Sequence, residues 1–427
     1  MIGLVVLTLG CLLVPVYVYA GYPLLLWLLT RFWRQPTASA VSETPNESLP
    51  SVTLVVSCYN EAKVITAKLD NCLALDYPRE LLDILVVSDG SDDGTDDLVQ
   101  AFTERYPELR VQLIRQEGRL GKTLGLNLAL AATDADVVVF SDANAMYAVD
   151  AVRQLVRHFA LPQVGYVVGA ALYTDGADNA SAANEDLYWR YELAIKQWES
   201  QLHSVVGGDG AIYAIRRSLW EPLQARDIND FVNPLQIVAK GYRGVFDPQA
   251  RCFEETAGEF GKEAARKERI VNRSVRGLLR VREVMNPFRT GWFSVQVISH
   301  KLLRWLIPYF AVLGVIGSAL LAAQGLWVFQ LVVLGAVALV GTAALGYALQ
   351  MRPRLPMVIA IPFYFVMVNL YAMRGIARAV QGQTQVTWSS ARPSATGSAA
   401  SPVTVRGILG FAITLLLLLL AIGWPYV

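Results

Sequence analysis

The stretch Val137–Asn144 reads VVVFSDAN, and the rest of the chain is arranged around it. Val137, Val138, Val139 and Phe140 are β-favouring and apolar at every position, not at alternate ones. Such a run predicts a strand buried on both faces, as in a parallel sheet covered by helices. The polar cluster Ser141-Asp142-Ala143-Asn144 then falls at the strand's C-terminal end, where open α/β sheets bind ligands. Asp142 offers a hard anionic oxygen and Asn144 a neutral one two residues on. That pair suits Mg²⁺ or Mn²⁺ completed by substrate phosphates, or else an Asx-rich loop capping a helix.

Working outward, the same pattern recurs. Val52–Ser57 predicts a strand ending in Tyr59-Asn60-Glu61, with a helix from near Glu61 to about Leu73. Ile84–Val87 predicts a second strand, ending in SDGSDDGT, whose Asp and Gly residues make a turn and a helix start. Val111–Arg115 predicts a third strand, and Gly121-Lys122 opens a helix through Ala131. Strand–helix alternation of this kind predicts a doubly wound α/β sheet with its polar clusters at one edge. Glu61, Asp89, Lys122 and Asp142 together suit a nucleotide diphosphate, with Asp89 accepting from a uracil N–H and Lys122 favouring an anion. Gly118–Thr123 lacks the glycine spacing of a triphosphate loop, and no G-x-G-x-x-G follows the first strand.

Composition bounds the class. The chain has 427 residues, 54% of them hydrophobic and 17% charged, which is too apolar for an ordinary soluble enzyme. A net charge of +1 gives no reason to expect nucleic acid. Cys11, Cys58, Cys72 and Cys252 show neither zinc nor disulfide spacing and read as reduced.

The apolar excess sits at the two ends. Residues 1–33 predict a spanning helix, with Arg31 and Arg34 holding the next segment in the cytoplasm. Residues 34–50 read as a linker and 51–290 as the α/β domain. Trp292–His300 reads as interfacial, with His300 at headgroup level. Leu306–Leu321 and Leu326–Leu349 predict two spans. Met357–Met373, short and containing Pro362 and Asn369, predicts an interfacial or re-entrant helix that keeps Arg374 and Arg378 inside. Residues 381–405 read as a cytoplasmic polar loop and 406–427 as a last span. The expectation is four true spans.

The motifs VVSCYNE, VVSDGSDDGT, GRLGKTLGLNLAL and VVFSDAN, in this order, resemble glycosyltransferase family two. The likeness covers about residues 51–310 and is nearest to the membrane-embedded branch of poly-N-acetylglucosamine, hyaluronan and cellulose synthases. It implies a GT-A (Rossmann-like) cytoplasmic domain joined to α-helical transmembrane segments, a bacterial inner-membrane location, and inverting transfer from a UDP-sugar to a glycan or lipid-linked acceptor. Tyr59, Glu61 and Asp89 would hold the uridine, Lys122 the uracil or diphosphate side, and Asp142 with Asn144 the metal. The loop Gly208-Asp209-Gly210 would meet the acceptor sugar, as would Trp388 of the QVTW segment. Asp230 matches the catalytic base, with Asn229 before it and Asp227 as the competing carboxylate. Processive members carry Q-x-x-R-W; Asn272-Arg273-Ser274-Val275-Arg276-Gly277 stands here, so Arg273 and Arg276 are the candidates for clamping the leaving diphosphate. Without that Gln and Trp, a single transfer rivals polymer synthesis. Membrane lipids, and export or accessory subunits, complete the expected partners. A transporter with a regulatory domain predicts charges inside the spans, where almost none occur. A silent scaffold predicts loss of Asp142, Asp230 or Arg276, and all three are present.

Overall fold

A computed structural model of the chain describes residues 1–35, 49–173, 180–254, 260–349 and 355–383. Trp388, most of the 34–50 linker and the last predicted span lie outside the described residues.

Eight strands form one sheet: β1 (Val52–Cys58), β2 (Leu82–Ser88), β3 (Val111–Arg115), β4 (Val137–Asp142), β5 (Met146–Tyr147), β6 (Val164–Tyr173), β7 (Tyr213–Arg216) and β8 (Arg243–Glu254). Their order is β3-β2-β1-β4-β7-β6-β8-β5. The β3-β2-β1-β4 half is parallel, as expected. Strands β1, β2 and β4 are buried along almost their whole length, which requires apolar residues on both faces. The other half departs from a doubly wound sheet. β7 runs antiparallel to both β4 and β6, and β5 antiparallel to β8, so the sheet is mixed. One predicted helix is also shorter: α2 is Ile65–Leu73, because Glu61–Val64 is spent on a turn that ties into the loop after β2.

Register brings the motifs together. Ser57 of β1 pairs with Asp142 of β4, and Cys58 pairs with Ser88 of β2. Neighbouring strands lie about 4.8 Å apart, so the polar ends of all three open on one edge. At the far side β5 pairs Met146 with Phe253. One residue further, Glu254 comes level with Ala145, just after Asn144. Helices α3 (Thr95–Arg105), α4 (Lys122–Ala131), α5 (Ala151–Val156), α6 (Ala180–Leu202), α7 (Asn229–Ala239) and α8 (Phe260–Arg280) accompany the sheet.

Among the described residues, four helices are long and apolar enough to cross a membrane: α1 (Ile2–Phe32), α9 (Trp292–Ala322), α10 (Trp327–Leu349) and α11 (Met357–Val380). Two expectations need correction. The segment around His300 is not a separate piece but the start of α9, and His300 is buried against protein. The segment from Met357 is not too short to span: α11 continues seven residues past Met373, through Pro362, for 24 residues. Its later half also lies along α8. Glu268 pairs with Arg374 and Arg378, Asn272 Nδ2 donates to the Gly375 carbonyl, and Arg276 donates to the Ala379 carbonyl. Gly375 makes this approach possible, since a Cβ there would stand 2.7 Å from the Glu268 carbonyl oxygen.

Candidate active site

The loops after β1 and β2 are laced together. Asn60, in a left-handed conformation at φ 54°, exchanges hydrogen bonds with Asp92 through its side-chain amide. The Glu61 N–H donates to Thr95 Oγ1 and the Ala62 N–H to Asp93. This positions Tyr59, whose ring centroid lies 3.5 Å from the Arg119 guanidinium carbon, a cation–π contact. One face of the Tyr59 ring is thus engaged by Arg119.

Asp89 is almost fully buried. Its Oδ1 accepts from the backbone N–H groups of Leu120 and Gly121 and from Gln116 Nε2. Its Oδ2 makes no hydrogen bond, with Arg119 Nε 3.9 Å away. Burial raises its pKa, against those backbone donors and Arg119. A buried carboxylate oxygen with no donor is a ready acceptor for one.

At the end of β4, Asp142 Oδ1 takes an ion pair from Lys122 Nζ, which also reaches the Gly210 carbonyl at 3.4 Å. Lys122 is therefore at Asp142 rather than on the Asp89 side; it is the amide of Gly121 that meets Asp89. Asn144 follows in the short connection from β4 to β5. The loop is supported from below. Lys68 on α2 is completely buried, donates to the Ala145 carbonyl and lies 4.1 Å from the Tyr147 ring centroid; burial lowers its pKa. The Tyr147 hydroxyl reaches the Phe140 carbonyl at 2.9 Å and the Ala211 carbonyl at 3.1 Å, joining β4 to the residue that follows the glycine loop.

That loop, Val205–Gly210, meets the start of α7. The Gly208 N–H donates to the Asp230 carbonyl. A Cβ on Gly210 would stand 3.2 Å from Asp230 Oδ2, 3.7 Å from Asp142 Oδ2 and 3.7 Å from Lys122 Nζ. Two carboxylates and an ammonium thus converge on one point. Asp230 has its pKa raised, first by burial and then by Asp209 and Asp142, with Lys122 opposing. Asp209 is held by Lys196 at 3.1 Å. Asp227, the competing base, is buried and paired with Arg280, and its Oδ2 also accepts from the Gln224 N–H. It braces the loop. Asn229 donates to the Tyr213 hydroxyl at 3.0 Å.

The two expected clamps turn elsewhere. Arg273 donates to Thr123 Oγ1 and to the carbonyls of Ala225, Arg226 and Asp227, and burial brings its pKa down to about 10. Arg276 faces the end of α11. Arg273 still acts on Asp230 through its charge, and Arg269, whose pKa is lowered by burial and by Arg266, is coupled to both Asp230 and Asp142. In the sequence nothing sets Arg269 apart from Arg266, Arg273, Arg276 and Arg280 on the same helix. Glu254 was also missed. Burial, Asp142 and Asp209 push its pKa up to about 7. A glutamate ending a twelve-residue strand was the available clue.

Among the described residues no three His, Cys, Asp or Glu side chains form a ready metal cage. Asp142 with Asn144 matches the sparse protein set that Mg²⁺ or Mn²⁺ uses when phosphates and water complete the shell. The glycine at position 210 leaves the space beside Asp142 Oδ2 open.

Residues 53–221 match the family described as Glycosyl transferase family 2. The match takes in the strands and loops that carry Asp89, Asp142 and Asp209. It is 29% identical over 204 residues to the beta-monoglucosyldiacylglycerol synthase of Synechocystis, covering 44% of this chain and 41% of that one. It is 26% identical over 228 residues to the poly-beta-1,6-N-acetyl-D-glucosamine synthase of Staphylococcus aureus, covering 52% and 54%. The chain thus spans about half the length of these curated relatives. Among solved structures, a mannosyltransferase of Pyrobaculum calidifontis, in complex with GDP-Man and Mn²⁺, matches 89% of this chain and 99% of its own. The TM-score is 0.65 at 23% identity, and the shared fold is GT-A.

Proposed function

We propose that this glycosyltransferase moves a sugar from a nucleotide-diphosphate sugar, a UDP-sugar first among candidates, to a hydroxyl of a glycan or lipid-linked acceptor, with inversion. The observation that carries this is the convergence of Asp230, Asp142 and Lys122 around Gly210, on the sheet edge shared with Asp89. Asp230 takes the proton as the acceptor oxygen attacks the sugar's C1. The C1–O bond to the diphosphate breaks in the same step, and the nucleoside diphosphate leaves. A raised carboxylate pKa suits a base operating near neutral pH. Asp142 and Asn144 would hold Mg²⁺ or Mn²⁺, which neutralises charge on the diphosphate when bound. Arg269 adds positive charge on the same side. The imide N–H of uracil fits the open Asp89 Oδ2; guanine offers a comparable donor, and the Pyrobaculum neighbour was solved with GDP-Man.

The acceptor has two readings. One curated relative is named for a glucosylated diacylglycerol and another for a polymer. The segment from Asn272 to Gly277, where the resemblance would put the Gln and Trp of processive members, holds neither, which favours a single transfer to a lipid-linked acceptor. The four apolar helices support a reaction at a membrane, and Arg31 and Arg34 after the first of them favour a catalytic domain on the cytoplasmic side of a bacterial inner membrane.

The test is incubation of the protein in lipid nanodiscs with radiolabelled UDP-sugars and GDP-mannose, with and without Mn²⁺, followed by sizing of the product. Metal-dependent label transfer that disappears in Asp142→Ala supports the reading. Release of no sugar from any donor overturns it.

A further inference from the structure

α6 carries three charged residues on one face, Glu192, Lys196 and Glu199, at spacings of four and three. All three are buried. Each reaches out of its own helix. Glu192 meets Arg304 and His300 of α9, and Lys196 holds Asp209 at 3.1 Å. Glu199 is the centre of the cluster, with no exposed surface.

A carboxylate without water must have its lone pairs met by protein donors. The donors to Glu199 come from three separate places. Oε1 accepts from the Tyr22 hydroxyl of α1 at 2.6 Å and lies 2.7 Å from His300 Nδ1 of α9. Oε2 accepts from the Val206 N–H at 3.0 Å. The residue's own carbonyl accepts from Gln296 Nε2 of α9 at 2.9 Å. One side chain is thereby bonded at once to two long apolar helices and to the glycine loop. That loop is the one whose Gly208 N–H meets the Asp230 carbonyl and whose Gly210 leaves open the space between Asp230 and Asp142. With Val206 held by Glu199 and Asp209 by Lys196, α6 grips the loop on both sides of Gly207-Gly208.

We infer that Glu199 is a positioning residue through which the seating of α1 and α9 sets the aim of the loop Val205–Gly210 at the acceptor. The inference rests on the proposed function for the acceptor role of that loop. Its physical content is that the loop cannot shift without breaking a bond to a buried carboxylate, and the carboxylate cannot shift without breaking bonds to both helices. A glutamine at 199 would turn an amide donor toward one of those donors.

The experiment uses the full chain in nanodiscs, comparing wild type with Glu199→Gln, Tyr22→Phe, His300→Ala and His300→Gln. Tyr22→Phe removes one hydroxyl from α1 and leaves the catalytic domain's sequence untouched, so it serves if Glu199→Gln fails to fold. The expected result is nucleotide–Mn²⁺ affinity and donor hydrolysis by water within about twofold of wild type. Transfer to acceptor falls about tenfold, with a raised acceptor KM. Amide exchange over Val205–Gly210 accelerates about tenfold. His300→Gln, which restores a donor to Oε1, recovers more transfer than His300→Ala. A parallel fall in donor affinity, hydrolysis and transfer would show a merely structural cluster and overturn the inference, as would unchanged loop exchange. If the wild type handles no nucleotide sugar, the functional reading fails, while the exchange comparison still decides the coupling.

Discussion

Gly210 leaves open the space beside Asp230: the missing Cβ would stand 3.2 Å from Oδ2 of that carboxylate. Its backbone is not in the left-handed region, so alanine is conformationally allowed there and only the space is lost. Gly210→Ala should fold with a stability change of about 1 kcal/mol or less. Transfer should fall about tenfold or more, because the reacting groups are held apart. Thermal melting and turnover on the same preparation check it; undiminished turnover would mean that substrate does not enter this space.

Asp230 and Asp227 separate by what they touch. Asp230→Asn keeps the shape and loses the proton acceptor, so transfer should drop about 10²–10⁴-fold with nucleotide affinity retained. Asp227→Asn breaks the pair between the buried Asp227 carboxylate and the exposed Arg280, and should cost about 1–3 kcal/mol of stability. Per folded molecule, it should keep most of its rate. Denaturant unfolding beside single-turnover kinetics distinguishes the two, and a stable but inactive Asp227→Asn would reverse the assignment.

Arg269 and Arg276 lie on the same helix, the first coupled electrostatically to Asp230 and Asp142, the second bonded to the Ala379 carbonyl. Arg269→Ala should reduce transfer about 10²-fold by removing charge near the departing diphosphate. Arg276→Ala should loosen the end of α11, seen as faster amide exchange at Ala379–Gln383, and leave nucleoside diphosphate affinity nearly intact. The opposite pattern, measured by calorimetric titration with UDP and Mn²⁺, would return the clamp to Arg276.

Glu254 carries a pH dependence of defined sign. Its pKa rises from the ordinary 4.5 to about 7 on folding, by burial first and then by Asp142 and Asp209. The folded chain therefore binds this proton more tightly than the unfolded one. Its contribution to stability is full below pH 4.5 and is lost as pH rises through 7, by at most about 3 kcal/mol. Glu254→Gln should remove that decline. Unfolding of metal-free protein at several pH values between 4.5 and 8 checks it; the same slope in the variant would place the titration elsewhere.

The parallel half of the sheet and its polar ends were legible because they rest on local patterns. Val111–Arg115 and Lys122–Ala131 have the bounds read from the sequence. An apolar run that stops at Asp142 marks a buried strand and its ligand-facing end without further information. The rotation of α8 was not legible. Arg266, Arg269, Arg273, Arg276 and Arg280 all sit on one amphipathic helix, and the contacts of α7 and α11 decide which of them faces the carboxylates.

Sequence by itself determined the alternation of strands and helices, the apolar ends, and the identities of Asp89, Asp142 and Asp230 as carboxylates at strand or helix ends. These follow from local propensity and from the periodicity of burial. Tertiary structure alone decided that β7 turns antiparallel between β4 and β6, that Lys122 meets Asp142, and that His300 is buried between two glutamates. Each of these joins residues twenty to more than a hundred positions apart. Such contacts are selected by the packing of whole elements, which no local pattern encodes.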